Sequence, residues 1–147
     1  MKTIYLLLLS CFFGFNLNAN TLLRKGYSTS GEVLYNWDGK NLRKGGSTSA
    51  EIIINYDGKN IRKGYSSSGD ILFNWDGKYF RQGYSSSSGD VLYNWDGKNI
   101  RQGYSSSSNI LYNYDGSNIR NGYSSSGDIL YNTDAIIPAA VLIYILQ

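Results

Sequence analysis

Between residues 20 and 134, short apolar stretches alternate with Asp-Gly pairs and with stretches rich in serine. Residues 71–84 show the pattern once: Ile-Leu-Phe-Asn-Trp, then Asp76-Gly77, then Lys-Tyr-Phe-Arg-Gln, then Gly83-Tyr84. Strand-forming residues on both sides of Asp-Gly are typical of a β-hairpin, because the tight turn needs the positive φ that glycine readily adopts. The pattern therefore predicts two short antiparallel strands in each such unit.

The Asn-aromatic-Asp-Gly segment recurs six times, the last time as Asn-Thr-Asp-Ala. The copies are 19 residues apart, as from Asn36 to Asn55, except that Asn74 and Asn94 are 20 apart because one serine is inserted. A fixed period of this size indicates a tandem array of one small unit. Since an open sheet of more than about ten strands tends to curl or close, we expect an all-β array of about six hairpins, either closed and radial or superhelical, over residues 20–134.

A two-residue loop at Asp76-Gly77 would place Trp75 opposite Lys78 and Phe73 opposite Phe80. Opposed residues share a face of the sheet, and successive residues alternate between faces. The apolar face, which is the predicted core, carries Ile71, Phe73, Trp75, Phe80 and Tyr84. The opposite face is mostly polar and carries Leu72, Asn74, Tyr79 and Arg81.

An aromatic residue precedes the turn aspartate in five of the six units. These residues are Trp37, Tyr56, Trp75, Trp95 and Tyr114. Stacked rings from successive hairpins usually form a core ladder, because large aromatic side chains are mostly packed. If the array were open on this side, the same ladder would be a platform for sugar rings, and both interpretations remain open at this point.

One arginine recurs at the same position of every unit. The six are Arg24, Arg43, Arg62, Arg81, Arg101 and Arg120. In the predicted register Arg81 lies diagonally across from Asp70, so we expect a cross-strand ion pair. The functional alternative is a polar face on which the arginines bind an anionic or sugar ligand.

The chemistry-bearing residues argue against an enzyme. The chain has no histidine, which removes the most common general base and the usual Ser or Cys triads. The turn aspartates occur singly, whereas calcium sites need clustered oxygen ligands, and the serine runs resemble turn loops. We therefore predict no catalytic residue, no metal site and no cofactor.

Both ends differ from the repeats. Residues 1–19 have a basic start, an apolar run and a small residue at Ala19, as in a signal peptide cleaved after Ala19. A lipoprotein signal at Cys11, the single cysteine, is the alternative. Residues 135–147 are an apolar end-piece, too short to span a bilayer as a helix. We expect the end-piece to cover an exposed apolar edge of the array; the alternative is a tail that binds a partner or a membrane.

The charged residues are nearly balanced, with 14 Lys and Arg against 11 Asp and Glu. The basic residues are spread over the units and do not form one patch, so nucleic acid is not an expected partner. The expected partner of an exported protein of this kind is a cell-surface glycan or a protein, and no membrane span is expected in the mature chain.

The Tyr-x-Trp-Asp-Gly-Lys run occurs at residues 35–40 and 93–98, and with phenylalanine for tyrosine at residues 73–78; a Gly-Tyr step follows the runs at 73–78 and 93–98. This run resembles the bacterial 4-fold beta flower family over about residues 23–134, with weaker likeness to YD, MORN and choline-binding repeats. The resemblance implies short hairpins arranged around an axis, and it implies no activity. We expect an exported, non-catalytic binding or interaction module; the alternatives are a carbohydrate-binding module that uses the Trp/Tyr ladder and a structural surface or spacer protein.

Overall fold

The computed structural model describes residues 20–147, so the predicted signal peptide at residues 1–19 lies outside the described part. The strands are β1 (Thr21–Lys25), β2 (Val33–Trp37), β3 (Asn41–Lys44), β4 (Ile52–Tyr56), β5 (Asn60–Lys63), β6 (Ile71–Trp75), β7 (Tyr79–Gln82), β8 (Val91–Trp95), β9 (Asn99–Gln102), β10 (Ile110–Tyr114), β11 (Asn118–Asn121) and β12 (Ile129–Thr133). A 3-10 helix at Ser88–Asp90 precedes β8, and the helix α1 spans Ala139–Leu146.

The strands form a closed barrel in which each pairs antiparallel with its neighbours in chain order, and β12 pairs with β1. Leu23 opposes Thr133 and Arg24 opposes Asn132, which is the register found within each internal hairpin. The sixth hairpin is therefore assembled from the two ends of the array. The predicted all-β hairpin array is confirmed, and of its two proposed arrangements the closed one is formed.

The hairpin turn is longer than predicted. Trp75 pairs with Phe80 and Asn74 pairs with Arg81, so the loop is Asp76 to Tyr79 and the two-residue register is wrong. The aspartate explains the longer loop, because its Oδ1 accepts hydrogen bonds from two backbone N–H groups across the turn, those of Lys78 and Tyr79. The register is shifted by two residues, which preserves the faces, so Trp75 and Phe80 share the core face as predicted.

A β-bulge where the first strand of each hairpin pairs with the strand before it, as β6 does with β5, reverses two predicted positions. Ile61 pairs with Phe73 but Arg62 pairs with Ile71, so Leu72 is the extra residue of the bulge. Leu72 consequently packs against the core, in place of the predicted Ile71. A bulge shifts the alternation of faces by one residue, and strict period-two counting could not detect it.

The helix α1 fills the interior of the barrel. Ala140, Val141, Leu142 and Ile143 are at most 1% exposed. The end of the helix contacts the barrel wall on several sides. Tyr144 packs edge-on against Phe73 of β6, and Ile145 lies beside Leu34 of β2. The hydroxyl of Tyr112 in β10 donates a hydrogen bond to the Leu146 carbonyl. A helix that is apolar on all sides requires such an enclosed place.

The expectation that the end-piece covers a sheet edge is wrong for a physical reason. The closed barrel of residues 20–147 leaves no strand edge to cover, while its interior needs apolar filling. Leaving β12, the chain turns inward through Ile137 and Pro138 and supplies that filling. Within residues 20–147, no helix has the length and apolar character that a bilayer crossing requires.

Candidate functional site

Each recurrent arginine forms an ion pair with a turn aspartate. Arg81 Nη1 lies 2.7 Å from Asp76 Oδ2, and the six equivalent Nη1–Oδ2 distances run from 2.5 to 3.2 Å. The predicted diagonal pair with Asp70 is wrong, because the actual register brings Arg81 to the turn. Arg24 pairs with Asp134 and so joins the two ends of the array. The arginine charges are thus compensated, and the arginine side chains lie mostly buried at the wall.

Hydrogen bonds keep the turn carboxylates charged. Oδ1 of Asp38 accepts from the N–H groups of Lys40 and Asn41 at 2.9 and 2.7 Å, and Oδ2 accepts from Arg43 at 2.6 Å. Burial by itself would raise the pKa of Asp38, but the hydrogen bonds from Arg43 and Asn41 outweigh it and lower the pKa to about 2. The same balance lowers the pKa values of Asp57, Asp76, Asp96 and Asp115.

The asparagine of each repeat clamps a Gly-Tyr-Ser loop to the barrel. Nδ2 of Asn74 donates to the carbonyl oxygens of Gly83 and Ser85 at 2.8 and 2.7 Å. All six make the equivalent pair: Asn36, Asn55, Asn74, Asn94, Asn113 and Asn132. A carboxamide can donate twice, which aspartate cannot. The asparagine recurs in every unit of the sequence, but its clamping role and its partners were visible only in the fold.

The clamped loops present tyrosines to solvent. The loop tyrosines are Tyr27, Tyr65, Tyr84, Tyr104 and Tyr123; the sixth loop has Gly46 at this place. Four of them are 75 to 79% exposed and Tyr104 is 55% exposed. The predicted core position of Tyr84 is therefore wrong, because the chain has already left the sheet after Gln82. Large exposed rings at a fixed place in successive repeats are unusual for a packed protein.

A groove runs along the outer wall beside a loop tyrosine. The cavity beside Tyr84 has a volume of about 310 Å³, and it is lined by Lys59, Asn60, Asn74, Asp76, Arg81, Tyr84, Ser85 and Ser86. It lies where one hairpin meets the next. We call each such place a wall groove. A wall groove consists of a loop tyrosine, the asparagine that clamps its loop, and the residue that opposes this asparagine on the strand of the preceding hairpin. In the groove of Tyr84 these are Tyr84, Asn74 and Asn60.

The aromatic ladder proposed from the sequence lies on the core face. Trp37, Trp75 and Tyr114 are at most 9% exposed, while Tyr56 and Trp95 are partly buried and pack against the core. Trp37 lies beside Tyr56 with ring centroids 6.4 Å apart. The positions therefore follow the core interpretation, and Trp95 keeps part of its ring accessible.

Trp95 borders a cavity of about 600 Å³ at the barrel rim, where the chain enters the interior. Tyr114, Lys98 and the stretch 136–139 complete its lining, with Ile136 75% exposed at the mouth. We call this the rim cavity. Its volume is within the range of small-molecule sites.

Neither region contains a recognisable catalytic arrangement. The loop serines bond to one another, as Ser66 Oγ does to Ser68 Oγ at 3.0 Å, in the manner of turn serines. Among residues 20–147 no three acidic or cysteine side chains converge in a way that could hold a metal ion.

A family model described as "6-fold beta flower protein" matches residues 23–142. The predicted resemblance to a beta flower is confirmed at this level, while its four-fold form is wrong, because the ring has six hairpins. No curated protein and no solved structure matches the chain.

Proposed function

The chain belongs to the 6-fold beta flower family, and from that premise we propose that it is a non-catalytic binding module acting through its wall grooves. One observation carries the proposal. Large tyrosine rings are exposed around the outer wall on loops that buried asparagines hold in place. Pre-positioned rings of this kind bind ligands with little entropic cost, because the loop is ordered before the ligand arrives.

The proposal includes export, with residues 1–19 acting as a signal peptide cleaved after Ala19. The partner is a glycan or a protein of the cell surface. Nucleic acid is a poor candidate, because each recurrent arginine is already paired with an aspartate in the same hairpin or across the ring closure.

The test is an array that carries both polysaccharides and cell-surface proteins, probed with the purified protein and with a variant in which Tyr27, Tyr65, Tyr84 and Tyr123 are all alanine. We expect binding by the natural chain and loss of that binding in the variant, whose circular dichroism should be unchanged because the rings are exposed. Equal binding by both chains would contradict the proposal. So would failure of the natural chain to bind any feature, which would favour the structural surface or spacer alternative.

A carbohydrate-binding function of the Trp/Tyr ladder is the second candidate, and one observation favours it: the partly accessible Trp95 faces the rim cavity. Iodide should quench Trp95 and leave the buried Trp37 and Trp75 shielded, so Trp95→Phe should remove most of the quenchable fluorescence. A sugar that fills the rim cavity should protect Trp95 from iodide. If no glycan protects it, this candidate fails while the wall-groove proposal stands.

A further inference from the structure

The wall grooves vary in a correlated way around the ring. In four of them an asparagine opposes the clamping asparagine beneath an exposed loop tyrosine: Asn41 with Tyr65, Asn60 with Tyr84, Asn99 with Tyr123 and Asn118 with Tyr27. We call these opposing residues the wall asparagines. In a fifth groove Leu22 and Gly46 replace both members of the pair. Leu22 and Gly46 belong to different repeats, so their joint replacement indicates that wall asparagine and loop tyrosine act together.

The remaining groove shows what fits beside a loop tyrosine. Tyr79 occupies the wall position there, and its ring stacks on Tyr104 with centroids 4.8 Å apart and an interplanar angle of 18°. The Arg81 guanidinium lies 5.2 Å from the centroid of the same Tyr79 ring. The chain thus fills this groove with its own flat six-membered ring, which also explains why Tyr104 is less exposed than the other loop tyrosines.

The surroundings of an open groove are polar, and in the groove of Tyr84 they include Lys59, which takes part in none of the ion pairs of residues 20–147. In the groove of Tyr84, the Arg81–Asp76 ion pair and the carboxamide of Asn60 line the same cavity as the ring. The side-chain oxygens of Asn41, Asn60 and Asn99 accept no hydrogen bond from residues 20–147 and have little access to water. These oxygens, like those of the clamping Asn36 and Asn113, lie too deep for a ligand to reach, so the hydroxyl groups of a ligand would meet the accessible groups that line the cavity.

We propose that the four open wall grooves are saccharide sites, each stacking one sugar ring on its loop tyrosine. This inference rests on the proposed binding function and names its ligand class. A pyranose has an apolar C–H face for the tyrosine and hydroxyl groups around its whole edge for the wall asparagine and the Arg–Asp pair. An aromatic side chain of a partner protein has the flat face but few polar groups at its edge, so it would make fewer hydrogen bonds with this lining.

The ring arrangement selects ligands with repeated units. Four grooves built from the same residue types around one closed barrel would bind a polysaccharide with avidity, since the second contact becomes intramolecular once the first has formed. The Arg–Asp pairs are compensated, and Lys59 adds one positive charge to the groove of Tyr84, so chains of hexoses that are neutral or carry few anionic groups are the preferred class.

The experiment compares matched variants on neutral polysaccharides and on their short oligosaccharides. Tyr84→Ala should lower the affinity for a polysaccharide by about fivefold or more through lost stacking and avidity. Tyr104→Ala removes the same residue type from the self-filled groove and should leave the affinity unchanged. Tyr79→Asn should open that groove and raise the number of oligosaccharide sites, measured by isothermal titration, from four to five.

Three outcomes would overturn the inference. One is equal loss of affinity in Tyr84→Ala and Tyr104→Ala, and another is an unchanged number of sites in Tyr79→Asn. The third is tyrosine-dependent binding that occurs only to proteins on the mixed array; it would refute saccharide recognition and leave the binding-module proposal standing. Because Tyr79→Asn predicts a gain, loss of folding in a variant cannot imitate it.

Discussion

Replacement of Asn113 by alanine tests whether the asparagine clamp holds the fold together. Asn113 is fully buried and donates to the carbonyls of Gly122 and Ser124 at 2.7 and 3.1 Å. A hydrogen bond contributes about 1 kcal/mol net, and a buried carbonyl left without a donor costs about 1 kcal/mol or more. Part of this loss is offset because alanine also removes Asn113 Oδ1, a buried acceptor with no donor among residues 20–147, so we expect the free energy of unfolding to fall by about 1 to 3 kcal/mol.

Urea denaturation, followed by circular dichroism, measures this loss. The midpoint should fall while the slope m stays constant, since the surface exposed on unfolding hardly changes. Asn118→Ala is the matched control from the same hairpin, because its amide makes only a 3.4 Å contact with Asp115 at the exposed surface. Its effect should stay within about 0.5 kcal/mol.

A second substitution separates hydrogen bonding from packing. Asn113→Asp keeps the size of the side chain but places a carboxylate oxygen against the carbonyls of Gly122 and Ser124, so it should destabilise at least as much as alanine at neutral pH. Equal midpoints for Asn113→Ala and Asn118→Ala would refute the reasoning. Full tolerance of aspartate would show that the amide donor has no special role.

Three further perturbations test the core, the ring closure and the turns. Leu142 has no exposed surface, so Leu142→Ala should lower the free energy of unfolding by about 3 kcal/mol in thermal denaturation. Ile136→Ala, at the exposed mouth of the rim cavity, should change it by less than about 0.5 kcal/mol. Similar losses in the two variants would show that α1 does not fill the barrel. Asp134→Ala should lower the melting temperature more than Asp115→Ala, because a covalent turn still joins the strands at Asp115 but not at the ring closure. A smaller effect of Asp134→Ala than of Asp115→Ala would contradict closure by the chain ends. The pKa of Asp38 is lowered to about 2 in the folded protein, whereas an aspartate in the unfolded chain has a pKa near 4. The resulting stabilisation is complete above pH 4 and is lost as the pH falls through about 2. Urea midpoints should therefore decline between pH 4 and pH 2, and a constant midpoint would contradict the hydrogen bonding of the turns.

The candidate site was only partly visible in the sequence. The recurrent arginine and asparagine were recognisable as a polar face, but their partners depended on a loop length that Asp-Gly alone does not determine. Once Asp76 caps a four-residue loop, Arg81 reaches the turn and not Asp70. Tyr84 was misplaced because period-two counting was continued beyond Gln82, where the strand ends.

The sequence by itself determined the hairpin unit, its number of copies and, next to the turn, the side of each strand that faces the core. These features depend on local chemistry: turn residues, strand-forming residues and alternation within a few positions. Only the tertiary structure decided that the ring closes through β1 and β12, and that the apolar end of the chain fills its interior. Closure depends on twist summed over all the strands, and the place of the end-piece depends on the cavity that closure creates, so neither can be seen from any one repeat.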